Sequence, residues 1–134
     1  MIHERGGSET EPDLARLAGL LEETESALVV EGSHFDARHR KANHVLARVT
    51  DPAALAELRS ALRCVPGAQR PALMTPGEPT VALFAAGRQY LAAVTDVGSS
   101  RVRSHGLLGG DVLLAEPERF IRWLALTTGD SDEG

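Results

Sequence analysis

Residues 80–104 read TVALFAAGRQYLAAVTDVGSSRVRS, and this stretch decides the fold class. Two runs rich in β-forming residues, 80–84 and 89–95, flank a four-residue connection that contains Gly87, where a positive φ is expected. A second turn at Gly98 precedes a short strand over 101–104. The segment therefore predicts a three-stranded antiparallel meander.

Helical patterns flank this meander in the sequence. Pro52 follows the capping residue Asp51 and opens an apolar stripe that runs to about residue 63, which predicts a helix. Similar spacing predicts a first helix that begins near Thr10, with Pro12 in its first turn, and a last helix that opens at 116–117. Helices that cover one face of a small antiparallel sheet form a two-layer α+β fold, so we predict that fold with about three helices.

Two further segments lie between the first helix and the second. Alternating apolar and polar residues over 44–50 predict a half-buried strand. The apolar run 27–30 fits a strand or a helix end, and periodicity alone does not decide between them.

A chain of 134 residues predicts one domain, which we place at residues 11–128. The Gly/Ser/Glu-rich residues 1–10 and the acidic residues 129–134 are expected to be flexible. Six Pro and Gly residues between 66 and 79 predict a long loop, and such loops are often functional.

The net charge of −5 argues against nucleic acid and acidic membranes as partners, because both require a clustered cationic surface. The sequence contains no apolar run long enough to span a bilayer, and its start lacks a signal peptide, so we expect a cytoplasmic protein. The lone Cys64 fits a reducing compartment and is interpreted as a small buried residue at a helix end. Among the basic residues only Lys41 is not Arg, a composition typical of GC-rich bacteria.

His34, His39 and His44 recur every five residues around Asp36, a residue set that includes zinc and iron ligands. Neighbouring histidines at this spacing lie about 140° apart on a helix, and on a strand they alternate between faces. The alternatives are a metal site, a contact to an anion or partner, and a solvated loop. We expect no metal and no cofactor.

The basic residues are grouped rather than dispersed. Guanidinium groups present paired donors to oxyanions, so this grouping predicts one cationic surface that binds a protein partner or an anionic small molecule. Arg101 and Arg103 share a strand face, for which the alternative is an outward position at the sheet rim. The predicted binding residues are Arg38, His39, Arg40, Arg101, Arg103 and His105.

A non-enzymatic binding or accessory protein is the leading functional hypothesis, because familiar catalytic motifs are missing from the sequence. The alternative is a small hydrolase or isomerase that uses a His/Asp pair. Its candidate residues are His34, His39 or His105 with Asp36, Asp96 or Asp111. The chain has few large side chains, which also predicts a homodimer through a sheet face or the last helix.

Residues 73–78 read LMTPGE, residues 96–98 read DVG, and residues 123–124 read WL. In this order of features the chain resembles small uncharacterised bacterial proteins with a Cys-Met-Cys-x-Gly-Asp segment before the hairpin and a His-His-Gly turn after it. This chain lacks those cysteines and histidines. The resemblance implies a non-catalytic descendant rather than a metalloenzyme.

Overall fold

The computed structural model describes residues 5–32, 44–65, 79–98, 100–104, 107–108 and 111–129, with side chains in the first helix described from Pro12 onward. This part of the chain forms a two-layer α+β fold, as predicted, with three helices and a six-stranded antiparallel sheet. The helices are α1 (Arg5–Glu23), α2 (Pro52–Ala61) and α3 (Pro117–Thr128). The strands are β1 (Ser26–Val30), β2 (Val45–Val49), β3 (Thr80–Ala85), β4 (Gln89–Gly98), β5 (Arg101–Arg103) and β6 (Val112–Leu113).

The sheet has the order β2-β1-β3-β4-β5-β6. The predicted meander is confirmed as β3-β4-β5, and β6 extends it by one strand. The apolar run 27–30, which the sequence left open, belongs to strand β1 and lies between β2 and β3. The sheet is therefore twice as wide as the meander alone.

Helix α2 begins as predicted, because the Asp51 side chain accepts a hydrogen bond from the Ala54 N–H at 2.9 Å and Pro52 occupies the first turn. It ends at Ala61, two residues before the predicted end. The predicted start of α1 near Thr10 is wrong, since this helix begins at Arg5 and contains Pro12 in its interior. Proline lacks the N–H for one helical hydrogen bond and its ring crowds the carbonyl four residues earlier, so α1 continues through Pro12 with one hydrogen bond missing.

The main core lies between the helices and one face of the sheet. Helix residues such as Leu58, Phe120 and Trp123 pack there against Val29 and Leu83 of the central strands. Trp123 Nε1 also donates to the Ala54 carbonyl at 2.8 Å, which joins α3 to α2. The three helices thus pack on one face of the sheet. We call the opposite face, whose buried cluster consists of strand residues, the second face.

The two edges of the sheet differ. A bridge between Cys64 and Leu114, with a 2.8 Å bond from the Val65 N–H to the Leu113 carbonyl, extends pairing beyond β6. At the other edge β2 has a bulge opposite Val29 and Val30 and exposes Val45 and Leu46. The site described below lies on the second face, beside β2.

Candidate functional site

The strand register identifies the residues that share the second face. Val30 pairs with Thr80, Thr80 with Thr95, and Thr95 with Arg103. The β5–β6 register continues this row to Asp111. Directly opposed residues on antiparallel strands point to the same face, so this row crosses five strands of one face.

The row is buried although most of its members are polar. Thr80 is fully buried and Thr95 exposes only 3% of its surface, and their Oγ1 atoms lie 2.8 Å apart. Thr80 Oγ1 also donates to the Gly32 carbonyl at 2.9 Å. Since a hydroxyl has one proton, Thr95 is the donor of the Thr–Thr bond. These contacts satisfy hydroxyls whose burial would otherwise be costly.

Arg103 and Asp111 form a buried ion pair at the end of the row. The guanidinium donates from Nε to Oδ1 at 2.8 Å and from Nη2 to Oδ2 at 3.1 Å, and the exposed fractions of the two residues are 9% and 1%. The hydrogen bonds to Asp111 raise the pKa of Arg103 above its ordinary value. An outward position at the sheet rim, the alternative given to this arginine by the sequence, is therefore wrong for Arg103.

A cavity of about 250 Å³ opens beside this row, where β1, β2 and the β3–β4 hairpin meet. We call it the arginine cleft. Its walls combine two arginines, two hydroxyls and an apolar surface. The described lining residues are Ser26, Ala27, Leu28, Val45, Arg48, Thr50, Phe84 and Arg88.

Both arginines of the cleft are exposed. Within the described part of the chain, neither guanidinium forms an ion pair with a carboxylate. The cross-strand neighbour of Arg48 is the apolar Leu28, so the sheet itself supplies no counter-charge. Two cations without a described counter-charge line one concave site of a protein whose net charge is −5.

Arg88 adopts an unusual backbone conformation at the hairpin. Its φ is +64°, in the left-handed region, and it follows Gly87 at φ +72°. The positive φ of Gly87 was predicted, whereas that of Arg88 was not. An L-residue pays about 1–2 kcal/mol for this conformation. A residue held there is a reason to look for a function.

Phe84 forms the aromatic part of the cleft wall. Its ring contacts the Tyr90 ring edge-on, with centroids 5.9 Å apart and an interplanar angle of 66°. Burial raises the pKa of Tyr90 above its ordinary value. The cleft thus has an aromatic ring in its wall next to two cations, although Phe84 exposes only 3% of its surface.

A wider groove of about 590 Å³ lies between α1 and α2. Both arginines of its lining are engaged: Arg59 Nε donates to the Leu21 carbonyl at 2.9 Å, and Arg63 lies 3.7 Å from Glu116. Its remaining lining is largely apolar, with residues such as Leu17 and Leu62 that belong to the core. The groove is larger than the arginine cleft, but its chemistry is less suited to a charged ligand.

Three of the described groups with nucleophile or acid–base chemistry are engaged in hydrogen bonds. Burial raises the pKa of Cys64 to about 11, and its thiol donates to the Leu62 carbonyl at 3.4 Å. A protonated thiol is a poor nucleophile. Asp96 accepts a turn hydrogen bond from the Gly98 N–H at 2.9 Å, and Asp111 is held by Arg103. Within the described ranges, no group of three or more His, Cys, Asp or Glu residues is placed to hold a metal ion.

The six predicted binding residues are only partly placed. Arg101 and Arg103 lie on the second face, and Arg103 forms an ion pair with Asp111. Arg38, His39, Arg40 and His105 lie outside the described residues, as do His34, Asp36 and the predicted 66–78 part of the loop. Their convergence on one surface stays a prediction.

Sequence reasoning missed Arg88 and Phe84 as lining residues of a site. A signal was present, because Arg88 lies in the predicted four-residue connection of the hairpin and is exposed there. Arg48 falls within the predicted strand over 44–50, but its pairing with Leu28 depends on the strand register. That register is a tertiary property.

Comparison of the chain with protein-family models, with curated proteins and with solved structures found no match. None of the described helices combines the length and apolar character needed to cross a membrane.

Proposed function

We propose that this protein is a non-enzymatic binding protein that holds an anionic ligand in the arginine cleft. The observation that carries the proposal is the placement of Arg48 and Arg88 in one cavity without a described carboxylate partner. A concave site lined by one sign of charge focuses the electric field and attracts ligands of the opposite sign. The proposal keeps the predicted basic surface but centres it on different arginines.

The shape of the cleft supports a small ligand over a flat protein partner. Ligand pockets are concave and largely apolar, with a few polar groups that fix orientation. The arginine cleft has this composition, since Ser26 and Thr50 add hydroxyls to an apolar wall that includes Leu28 and Phe84. Binding rather than catalysis is supported by the engagement of Asp111 and Cys64, which removes a candidate base and a candidate nucleophile.

Inorganic phosphate at low ionic strength provides the first test. A ligand that binds only the folded state raises the melting temperature with concentration, so we expect a phosphate-dependent rise for the wild type. The double variant Arg48→Gln/Arg88→Gln should lose this rise, and Arg122→Gln, an exposed arginine on α3, should keep it. Added sodium chloride should weaken the effect, because exposed charges are screened.

Equal phosphate responses in the wild type and the double variant would contradict the proposed site. A response lost in Arg122→Gln as well would show that net charge, not the cleft, controls the effect.

A further inference from the structure

We infer that the ligand of the arginine cleft is a small organic phosphate, a phosphate monoester that carries an aromatic or apolar group. The inference rests on the proposed anion-binding function and adds the chemical class of the ligand. It follows from three features of the cleft: its two guanidinium groups, its apolar wall and its volume.

The two arginines match a dianionic head group. A phosphate monoester carries about −1.5 to −2 charges at pH 7 and three strong acceptor oxygens. Guanidinium forks pair with phosphate oxygens through two parallel hydrogen bonds, and the hydroxyls of Ser26 and Thr50 are available as additional donors. A monocarboxylate would neutralise only one of the two cations.

The apolar wall indicates that the ligand has a body as well as a head group. Leu28 and Phe84 lie on the second face next to Arg48, and Val45 exposes 41% of its surface there. The described lining thus joins an aromatic ring and aliphatic side chains to the cationic end of the cleft. Leu28 and Phe84 expose only 7% and 3% of their surfaces, so the apolar surface that a bare inorganic anion would leave in water is chiefly that of Val45.

The volume limits the size of that body. At about 250 Å³ the cleft is slightly smaller than the roughly 300–1,000 Å³ of pockets for drug-sized ligands. It suits one ring or a short chain joined to a phosphate. A dinucleotide would extend well beyond it.

The backbone of Arg88 supplies pre-organisation. A short turn after β3 holds Arg88 at φ +64°, so its position at the cleft does not depend on side-chain flexibility alone. Fixing a binding group in advance reduces the entropy lost when the ligand binds.

Three probes separate the contribution of the phosphate head group from that of the apolar group attached to it. They are phenyl phosphate, inorganic phosphate and benzoate. We expect phenyl phosphate to bind most tightly, measured from protein amide shifts in NMR titrations. Loss of a charge-assisted hydrogen bond in Arg48→Gln or Arg88→Gln should weaken it by about ten-fold to a hundred-fold, with Arg122→Gln unchanged. Val45→Thr keeps the side-chain shape but removes apolar surface, so it should reduce the preference of the cleft for phenyl phosphate over inorganic phosphate.

Four other results would each overturn part of the proposal. If inorganic phosphate binds as tightly as phenyl phosphate, the organic body is excluded, and the proposed anion-binding function stands. If benzoate binds at least as tightly as phenyl phosphate, the phosphate class is wrong. If a phosphotyrosine peptide binds more tightly than phenyl phosphate, the phosphate belongs to a protein partner and the small-molecule inference is overturned. If no probe shifts the cleft residues, the proposed function fails together with the inference.

Discussion

Arginines on the same face of one sheet have opposite environments. Arg103 exposes 9% of its surface and is held by two hydrogen bonds to Asp111. Arg48 and Arg88 are exposed and have no carboxylate partner among the described residues. The difference follows from their neighbours, because the register places Asp111 opposite Arg103 but Leu28 opposite Arg48.

This comparison shows why a count of basic residues does not locate a binding surface. A buried guanidinium needs its counter-charge, and once paired it has little to offer a ligand. An exposed guanidinium in a concave apolar setting keeps its capacity for an external anion. The fold neutralises the buried guanidinium with a carboxylate and, in our proposal, leaves the exposed guanidinium groups to bind an anion.

Removal of Asp111 should produce the largest effect on stability. Asp111→Ala leaves the Arg103 charge buried without its partner, which typically costs about 3–5 kcal/mol. Denaturant unfolding would measure this loss. The double variant Arg103→Met/Asp111→Leu removes both charges and should recover most of the stability. A loss below about 1 kcal/mol in Asp111→Ala, the range of exposed pairs, would contradict the buried pair.

Thr80→Val extends the comparison along the same buried row. The substitution preserves side-chain shape but removes the donor to the Gly32 carbonyl and the acceptor for Thr95. An unsatisfied buried polar group costs about 1–3 kcal/mol, so the free energy of unfolding should fall by that amount. Thr50→Val, on the exposed strand end beside the cleft, serves as the control and should change it little. Equal effects of the two substitutions would mean that the Thr80 bonds are not stabilising.

Much of the fold was predictable from local patterns. The Gly87 hairpin, the Asp51-Pro52 helix start and the strand after Gly98 each depend on a few neighbouring residues, and the structure confirms all three. The helix start near Thr10 failed because a cap pattern does not exclude an earlier beginning.

The site was less predictable, because it depends on register between distant strands. No local sequence pattern indicates that Arg103 pairs with Asp111 across neighbouring strands, or that Arg48 pairs with Leu28. The two arginines of the cleft lie forty residues apart in sequence and are brought together by β1 and β3. The predicted cationic surface stays a prediction, and the proposed site uses other arginines.

Arg88→Gly tests whether Arg88 lowers the free energy of unfolding while it strengthens phosphate binding. Glycine removes the strain of the positive φ but gains entropy in the unfolded chain, so we expect a net stabilisation of about 0.5–1 kcal/mol. Phosphate binding should weaken in the same variant. Thermal unfolding and phosphate titration measure the two effects. A destabilised variant would mean that the Arg88 side chain supports the fold.

Breaking the Arg119–Glu57 ion pair should have the smallest effect on stability. Arg119 is held by a carboxylate, as Arg103 is, but this pair lies on the surface between α2 and α3. The hydrogen bonds from Arg119 lower the pKa of Glu57 below its ordinary value. The ion pair therefore stabilises the protein fully above the pKa of Glu57 in the unfolded chain, about 4.3. This stabilisation is lost as the pH falls through the lower pKa of Glu57 in the folded protein. The stability difference between the wild type and Glu57→Gln should shrink below about pH 4.3, and a constant difference from pH 7 to pH 2 would contradict the pairing.

A phosphate titration followed by amide chemical shifts in the wild-type protein tests the central claim most directly. The account predicts saturable shifts concentrated at residues 26–28, 45–50 and 84–88, the segments that form the arginine cleft. Shifts concentrated at Arg16, Arg63 or Arg122 on the helical layer, or no saturable shifts at all, would contradict it.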